Sequence, residues 1–236
     1  MTTPDRFKDR NHAGKLLAQQ LSAYAGKPEV LVLALPRGGV PVGSAISQAL
    51  GVELDVMLVR KLGLPGHEEY AMGAVGAGGV LVIQSDLVEA GLVTTEAIEA
   101  ASKRELAVIA QRDRLYRAGR PPPKLEGRTV ILVDDGIATG ATLRAAIEVA
   151  RQSKVARLVV AAPVGAPESV AGLAPLVDDM VCLATPFGFH AVSQYYRHFD
   201  QTSDEEVQDL LALAWRQQAA APEKTVGYLG DPKPRE

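Results

Sequence analysis

VILVDDGIATGAT, residues Val130–Thr142, decides how the rest of the chain is read. Four consecutive apolar residues, Val130–Val133, read as a short strand buried on both faces. Two carboxylates, Asp134 and Asp135, stand at its carboxyl end. The loop that follows is small and hydroxylated, and near Gly140 it opens a helix whose apolar stripe is Leu143, Ala146, Ile147 and Ala150. Open α/β sheets bind ligands at the carboxyl ends of parallel strands. Small residues let backbone N–H groups converge on an anion, and a helix N-terminus adds partial positive charge there. Thr139 and Thr142 bring hydroxyls able to donate to the same anion. Alone, Asp135-Gly136 would be a turn and Asp134 a surface charge. That leaves unexplained why the loop is small, hydroxylated and continuous with an amphipathic helix. No lysine follows Gly140, so this is not a G-x-x-x-x-G-K-[ST] nucleotide loop, and G-x-G-x-x-G is absent from it.

Outward from this segment, further uninterrupted apolar runs occur at Val30–Leu35, Val56–Val59, Leu158–Ala162 and Met180–Ala184. Helical spacing links Ala13, Leu16, Leu17, Leu21 and Tyr24, and again Val42, Ala45, Ile46, Ala49 and Leu50. Strands alternating with helices predict an α/β fold with a central parallel sheet flanked by helices on both faces. Residues 62–79 hold six glycines and one proline, which predicts a long mobile loop leading into a hairpin at Val80–Ile83. Thr95–Arg117 reads as a long charged helix with an i, i+4 pair at Glu99 and Lys103, ended by Gly119 and Pro121–Pro123. A last helix starts at Ser203, where Ser203 and Glu206 form a capping box ahead of Val207, Leu210, Leu211 and Ala214. Residues 1–216 are expected to form one domain, and 217–236 a disordered tail rich in Ala, Pro and charge.

Composition narrows the classes. The 236 residues are 47% hydrophobic and 22% charged, with 25 Lys and Arg against 28 Asp and Glu, for a net charge of −3. That balance lacks the basic excess of a nucleic-acid binder. No run of eighteen apolar residues is present to span a membrane, and MTTPDRFKDRN at the N-terminus has no apolar signal core. The lone Cys182 lies in an apolar run and reads as a buried thiol in a reducing compartment. A cytoplasmic protein is the expectation. His12, His67, His190 and His198 show no zinc-ligand spacing.

In strand–loop–helix context, VILVDDGIATGAT resembles the signature of type I phosphoribosyltransferases: four apolar residues, two acids, then a T-G-x-T loop. The resemblance implies that fold, with a small variable hood, and phosphoribosyl pyrophosphate as ligand. Asp134 and Asp135 would meet the ribose 2′- and 3′-hydroxyls, directly or through magnesium-bound water. Gly136, Ala138, Thr139, Gly140, Ala141 and Thr142 would wrap the 5′-phosphate. Leu35-Pro36-Arg37-Gly38-Gly39, alone a generic tight turn, resembles the family's pyrophosphate loop. It implies a charge from Arg37, close backbone approach at Gly38 and Gly39, and a cis peptide at Pro36–Arg37. Arg60-Lys61, alone a solvated basic pair, opens VRKLGLPG, which resembles the start of the family's flexible catalytic loop. Strand alternation sends the two side chains to opposite sides, so one of them serves the site, and the reading assigns Lys61 to pyrophosphate. Residues 62–79 would then be a lid, with His67, Glu68, Glu69 and Tyr70 as candidates within it.

The function implied is displacement of pyrophosphate from C1 of the ribose by a nitrogen nucleophile, a nucleobase. Mg2+ would be the cofactor, carried by the donor rather than by a protein ligand set, and touching the chain through Asp134 and Asp135. A homodimer is the family expectation. Members acting on 6-oxopurines place an acidic base two residues before the loop glycine; here that position is Ala138, and A-T-G is closer to adenine-type members. The acceptor hood is sought in 185–200, around Thr185–Phe199 (TPFGFHAVSQYYRHF), where Phe187, Phe189, Tyr195 or Tyr196 could stack on a base. The same aromatics could equally pack the last helix onto the sheet. A non-catalytic sensor of phosphoribosyl pyrophosphate is the alternative, and a phosphatase that uses the loop only for phosphate is a third reading.

Overall fold

Strand β1 (Val30–Ala34) is buried along its whole length, and its side chains feed two cores. Val30, Val32 and Ala34 join Leu17, Leu21, Val42, Ile46, Val207 and Leu211. Leu31 and Leu33 join Leu143, Ala146, Ile147 and Ala150. Neighbours on a strand point to opposite faces, so a strand without polar positions must be covered on both. In the computed structural model, which describes residues 5–64, 67–84, 87–88 and 93–220 apart from the side chains of 67–70 and 220, helices supply that cover. One face carries α1 (Arg10–Gln20), α2 (Gly39–Leu50) and α6 (Asp204–Ala220); the other carries α4 (Ala141–Gln152) and α5 (Pro167–Leu173). The sheet has five strands in the order β2 (Glu53–Val56), β1, β6 (Thr129–Val133), β7 (Arg157–Val164) and β8 (Asp179–Ala184). All of its pairings are parallel. This is the fold class read from the sequence.

Two segments differ from expectation. The run Val56–Val59 is not one strand: it covers the end of β2, the turn Met57–Leu58 and the start of β3 (Val59–Leu64). Asp55 hides β2 from an apolar-run criterion, since it is buried inside the strand. It is tolerated there because Arg117 donates to it at 2.9 Å, with the two side chains 6% and 2% exposed. The glycine-rich stretch expected as a loop is mostly strand. β3, β4 (His67–Gly76) and β5 (Leu81–Ile83) form a three-stranded antiparallel ribbon in the order β3-β4-β5. Its glycines serve close approach: a Cβ on Gly73 would fall 2.1 Å from Val82 O, and one on Gly76 would fall 2.5 Å from Val149 Cγ1 on α4. Composition alone cannot separate glycines needed for contact from glycines that loosen a loop.

The long helix α3 (Thr95–Arg117) has the bounds the sequence indicated. Thr94 Oγ1 accepts from Ala97 N–H at its start, and Ala118, at φ 49°, ends it. Ser203 Oγ likewise accepts from Glu206 N–H, at 3.1 Å, ahead of α6. That helix runs to Ala220, past the expected boundary at 216; the remainder of the expected tail, 221–236, lies outside the described residues. Among the described residues no helix is long and apolar enough to cross a membrane.

The N-terminal segment is strapped to the segment before α6. Phe7 N–H donates to Tyr195 O at 2.8 Å, Arg197 N–H to Phe7 O at 2.9 Å and His198 N–H to Lys8 O at 3.1 Å. Phe7 and Tyr196 pack ring against ring at 5.5 Å in a small separate core.

Candidate functional site

The loop after β6 is nailed down by Ile137, which is 1% exposed. Its N–H donates to Val164 O and its carbonyl accepts from Ala166 N–H, both at 2.8 Å. Ser169 Oγ then donates to Ala138 O at 2.6 Å. Beyond that pin, Ala138, Thr139, Ala141 and Thr142 are exposed. Gly140, at φ 72°, makes the left-handed turn into α4 that favours glycine. The N–H groups of Ala138, Thr139 and Gly140 donate to no acceptor among the described residues. Thr139 Oγ1 accepts from Ala141 N–H at 3.4 Å. Exposed, unpaired N–H groups at the start of a helix form a cradle for an anion.

At the base of this cradle Asp134 and Asp135 are half-buried. Asp134 Oδ1 accepts from Asp135 N–H at 2.9 Å. Burial first, and then the charge of Asp135, push the Asp134 carboxyl well above the ordinary carboxylate range. Asp135 Oδ2 accepts from Arg10 Nε at 2.8 Å, between side chains 16% and 12% exposed. Arg10 in turn donates from Nη1 to Asp200 O at 2.7 Å and lies over the Phe199 ring, 3.9 Å from its centroid. The Tyr196 hydroxyl donates to Asp135 O at 2.7 Å. Burial, and then Asp135, raise the Tyr196 phenol, so it remains a proton-bearing donor.

The loop after β1 lies directly against these acids. The Pro36–Arg37 peptide is cis, as the resemblance implied. A Cβ on Gly38 would fall 2.0 Å from Asp135 Oδ2, and one on Gly39 would fall 2.6 Å from Val133 O and 3.1 Å from Asp134 Cα. Only glycine permits the two loops to touch. Arg37 is half-buried, and its side chain makes no hydrogen bond or ion pair among the described residues.

Beside the two loops is a cleft of about 1000 Å³ between β3, α3 and the start of α4. Leu35–Pro36 and Ala141–Thr142 line it, which joins it to both loops; Arg37, Asp134 and Asp135 are not among its lining residues. Arg60 and Lys61 both line it, although strand alternation predicted opposite sides. β3 is an edge strand of the ribbon. Arg60 is committed to Glu105 on α3 at 2.7 Å, whereas the Lys61 ammonium has no partner among the described residues. From α3 come Ala97, Ala100, Ala101, Arg104, Glu105, Ile109 and Arg112, which share one helical face.

The aromatic candidates separate. Phe187 is fully exposed. Phe189 and Tyr195 stack on each other, 5.7 Å apart at 6°. Tyr196 is buried. The structure brings none of them to the cleft. The side chains of His67, Glu68, Glu69 and Tyr70 lie outside the described residues. Among the described residues no three His, Cys, Asp or Glu side chains gather as a metal-binding group. The sequence reading missed Arg10, which has no local signal because its partner is 125 residues away. It also missed Arg104 and Arg112. Their signal was present in the spacing that links them to Ala97, Ala100 and Ala101, a stripe of small and cationic residues rather than apolar ones.

Three comparisons bear on this geometry. The profile of the phosphoribosyl transferase domain matches residues 6–180. Two Mycobacterium tuberculosis relatives, provisionally named phosphoribosyl transferases, are 46% identical over 215 residues, 91% of this chain and 48% of theirs. The chain thus spans about half the length of these curated relatives. The crystal structure of a Thermus thermophilus protein, TT1426, is 44% identical and superposes with a TM-score of 0.81, over 87% of this chain and 97% of that one.

Proposed function

The chain belongs to the phosphoribosyl transferase domain family, and from that premise we propose that it binds phosphoribosyl pyrophosphate with Mg2+ and transfers the phosphoribosyl group to a nitrogen nucleophile, a nucleobase, releasing pyrophosphate. The observation that carries this reading is the contact between the two loops: glycine at 38 sets the loop after β1 against the Asp135 carboxylate. One ligand lying across both loops must therefore offer hydroxyls to the acids, one phosphate to the cradle at 138–142 and a second phosphate group towards Arg37.

In the transfer, the C1–O bond to pyrophosphate breaks with its electron pair leaving on oxygen. The lone pair of the acceptor nitrogen forms the C1–N bond, and the proton shed by that nitrogen passes to solvent. Positive charge grows on the sugar and negative charge on the leaving group, so the chain's work is electrostatic. Asp134 and Asp135 hold the ribose hydroxyls. The Arg10 contact occupies Oδ2 of Asp135 and leaves Oδ1 for a hydroxyl. The N–H groups of Ala138–Gly140 and the Thr139 and Thr142 hydroxyls hold the 5′-phosphate; Arg37 and Lys61 face the pyrophosphate. Magnesium prefers oxygen ligands and keeps its water, which suits an ion chelated by the donor and meeting the chain only through the two acids; bound, it supplies neutralisation of pyrophosphate charge. The ribbon β3–β5 takes the role of a lid that keeps water from C1.

The test is pyrophosphate release from phosphoribosyl pyrophosphate and Mg2+ across a panel of purine and pyrimidine bases, with Asp135→Asn alongside. Release with one base, lost in the variant, is the expected result. Tight donor binding without release from any base would replace the transferase with a sensor. Absence of donor binding would refute the reading.

A further inference from the structure

Helix α3 belongs to neither loop, yet it forms a whole wall of the cleft. We propose that this wall is the pyrophosphate site: Arg104 and Arg112 of α3, facing Lys61 of β3, take the condensed phosphate as it leaves C1. The inference rests on the donor reading above and adds to it the residues that hold the leaving group.

Charge is the first argument. The chain carries a net charge of −3, but the cleft collects four cations, Arg60, Lys61, Arg104 and Arg112, and a single carboxylate, Glu105. Arg60 already neutralises Glu105 at 2.7 Å. Lys61, Arg104 and Arg112 have no ion pair with any described residue. Arg117 and Arg128, which pack into the fold away from these positions, are by contrast paired, with Asp55 and Glu53. Three unpaired cations around one concavity raise the local concentration of anions.

Space is the second. The cleft-lining residues of α3 ahead of Arg104 are Ala97, Ala100 and Ala101, whose small side chains leave room beside the cations. Arg104 and Arg112 lie eight residues apart on one face, about 12 Å along the axis. Their long side chains can close on a ligand from both ends, and the guanidinium fork matches phosphate oxygens two at a time.

Position is the third. The cleft also takes in Pro36, next to Arg37, and Thr142, at the end of the cradle. A ligand anchored by its sugar on Asp134 and Asp135 and by its 5′-phosphate on the cradle would reach the cleft through the group attached at C1. The Arg60–Glu105 ion pair meanwhile holds α3 against β3, the strand that carries Lys61.

Calorimetric titration of the full chain with inorganic pyrophosphate and Mg2+, and separately with ribose 5-phosphate, tests this. Arg104→Gln/Arg112→Gln is compared with wild type and with Arg114→Gln, an exposed arginine of α3 that does not line the cleft. The expected result is pyrophosphate affinity lowered about tenfold or more in the double variant, with ribose 5-phosphate affinity unchanged and Arg114→Gln like wild type. Equal pyrophosphate affinity in wild type and double variant overturns the proposal and leaves the donor reading standing. If wild type binds neither ribose 5-phosphate nor pyrophosphate, the donor reading falls and the proposal with it. Unchanged ribose 5-phosphate binding also serves as the check that the double variant is folded.

Discussion

Replacing Arg117 with Met strips the counter-charge from an acid that the fold encloses. Arg117 Nε donates to Asp55 Oδ1 at 2.9 Å, Nη2 donates to Val56 O at 2.8 Å, and Nη1 pairs with Asp113. Burial holds the Asp55 carboxyl above its ordinary value even with Arg117 pulling it down, so desolvation already outweighs the attraction. Removing one partner of a buried pair costs about 3–5 kcal/mol. At about 2–4 °C per kcal/mol for a chain of this size, the melting temperature should fall by about 6–20 °C. A carboxyl whose pKa is raised by folding binds its proton more tightly in the native state. Its contribution to stability therefore declines as pH rises from the ordinary value of 3.8 through the raised one. Without Arg117 the rise is larger, so the deficit of the variant should be small near pH 4 (the ordinary value, roughly) and complete at neutral pH. Asp55→Asn keeps an oxygen for the Val56 N–H, now 2.6 Å from Asp55 Oδ1. Added to Arg117→Met, it should restore much of the loss. Thermal melts of the two single variants and the double variant across that pH range decide the matter. A loss below about 1 kcal/mol, or one that does not change with pH, would refute the reasoning.

Three further outcomes are expected. Gly38→Ala puts a Cβ 2.0 Å from Asp135 Oδ2, and an overpacking cost of about 1–3 kcal/mol should appear as weaker ribose 5-phosphate binding in calorimetry; unchanged affinity would mean the loops part freely. Asp134→Asn removes a carboxyl that burial and Asp135 push up from 3.8. By the same sign it should melt higher than wild type at neutral pH and converge with it in acid, while losing donor affinity; equal melting at neutral pH would count against the buried acid pair. Arg10→Gln gives up a charge-assisted contact to Asp135, worth about 1.5–3 kcal/mol. It should speed amide exchange at Arg197 and His198, the donors to Phe7 O and Lys8 O, and exchange at wild-type rates would show the strap does not need Arg10.

The parallel sheet was legible because Val30–Leu35, Val130–Val133, Leu158–Ala162 and Met180–Ala184 have no polar position to disguise them. The two acids and the loop at 136–142 were legible for a local reason: strand, acids, loop and helix follow one another without a gap. What failed was everything that depends on contact between distant segments. Asp55 interrupts the apolar run that would have marked β2, and Arg117, which makes it tolerable there, lies 62 residues away. Gly73 and Gly76 looked like looseness because the backbone and side chain they make room for, at Val82 and Val149, lie elsewhere in the chain. Arg10 carries no motif, and the spacing of the α3 stripe takes its meaning only from the cleft it lines.

The strap between Phe7 and Tyr196 has a consequence for biogenesis. Arg10 leaves the ribosome early, but its carbonyl partner on Asp200 lies 190 residues later. At about 5–20 residues per second, that stretch takes roughly 10–40 s to translate. Once Asp135 has been made, for the roughly 3–13 s needed to translate on to Asp200, the nascent chain has β6 and its acids without the Arg10–Phe199 clamp or the Tyr196 donor. Ribosome-stalled chains ending before Tyr196 should therefore be cut readily by protease around Phe7–Arg10, and chains that expose Asp200 should resist. The residues just ahead of α6 thus act as the latch on the segment Phe7–Arg10.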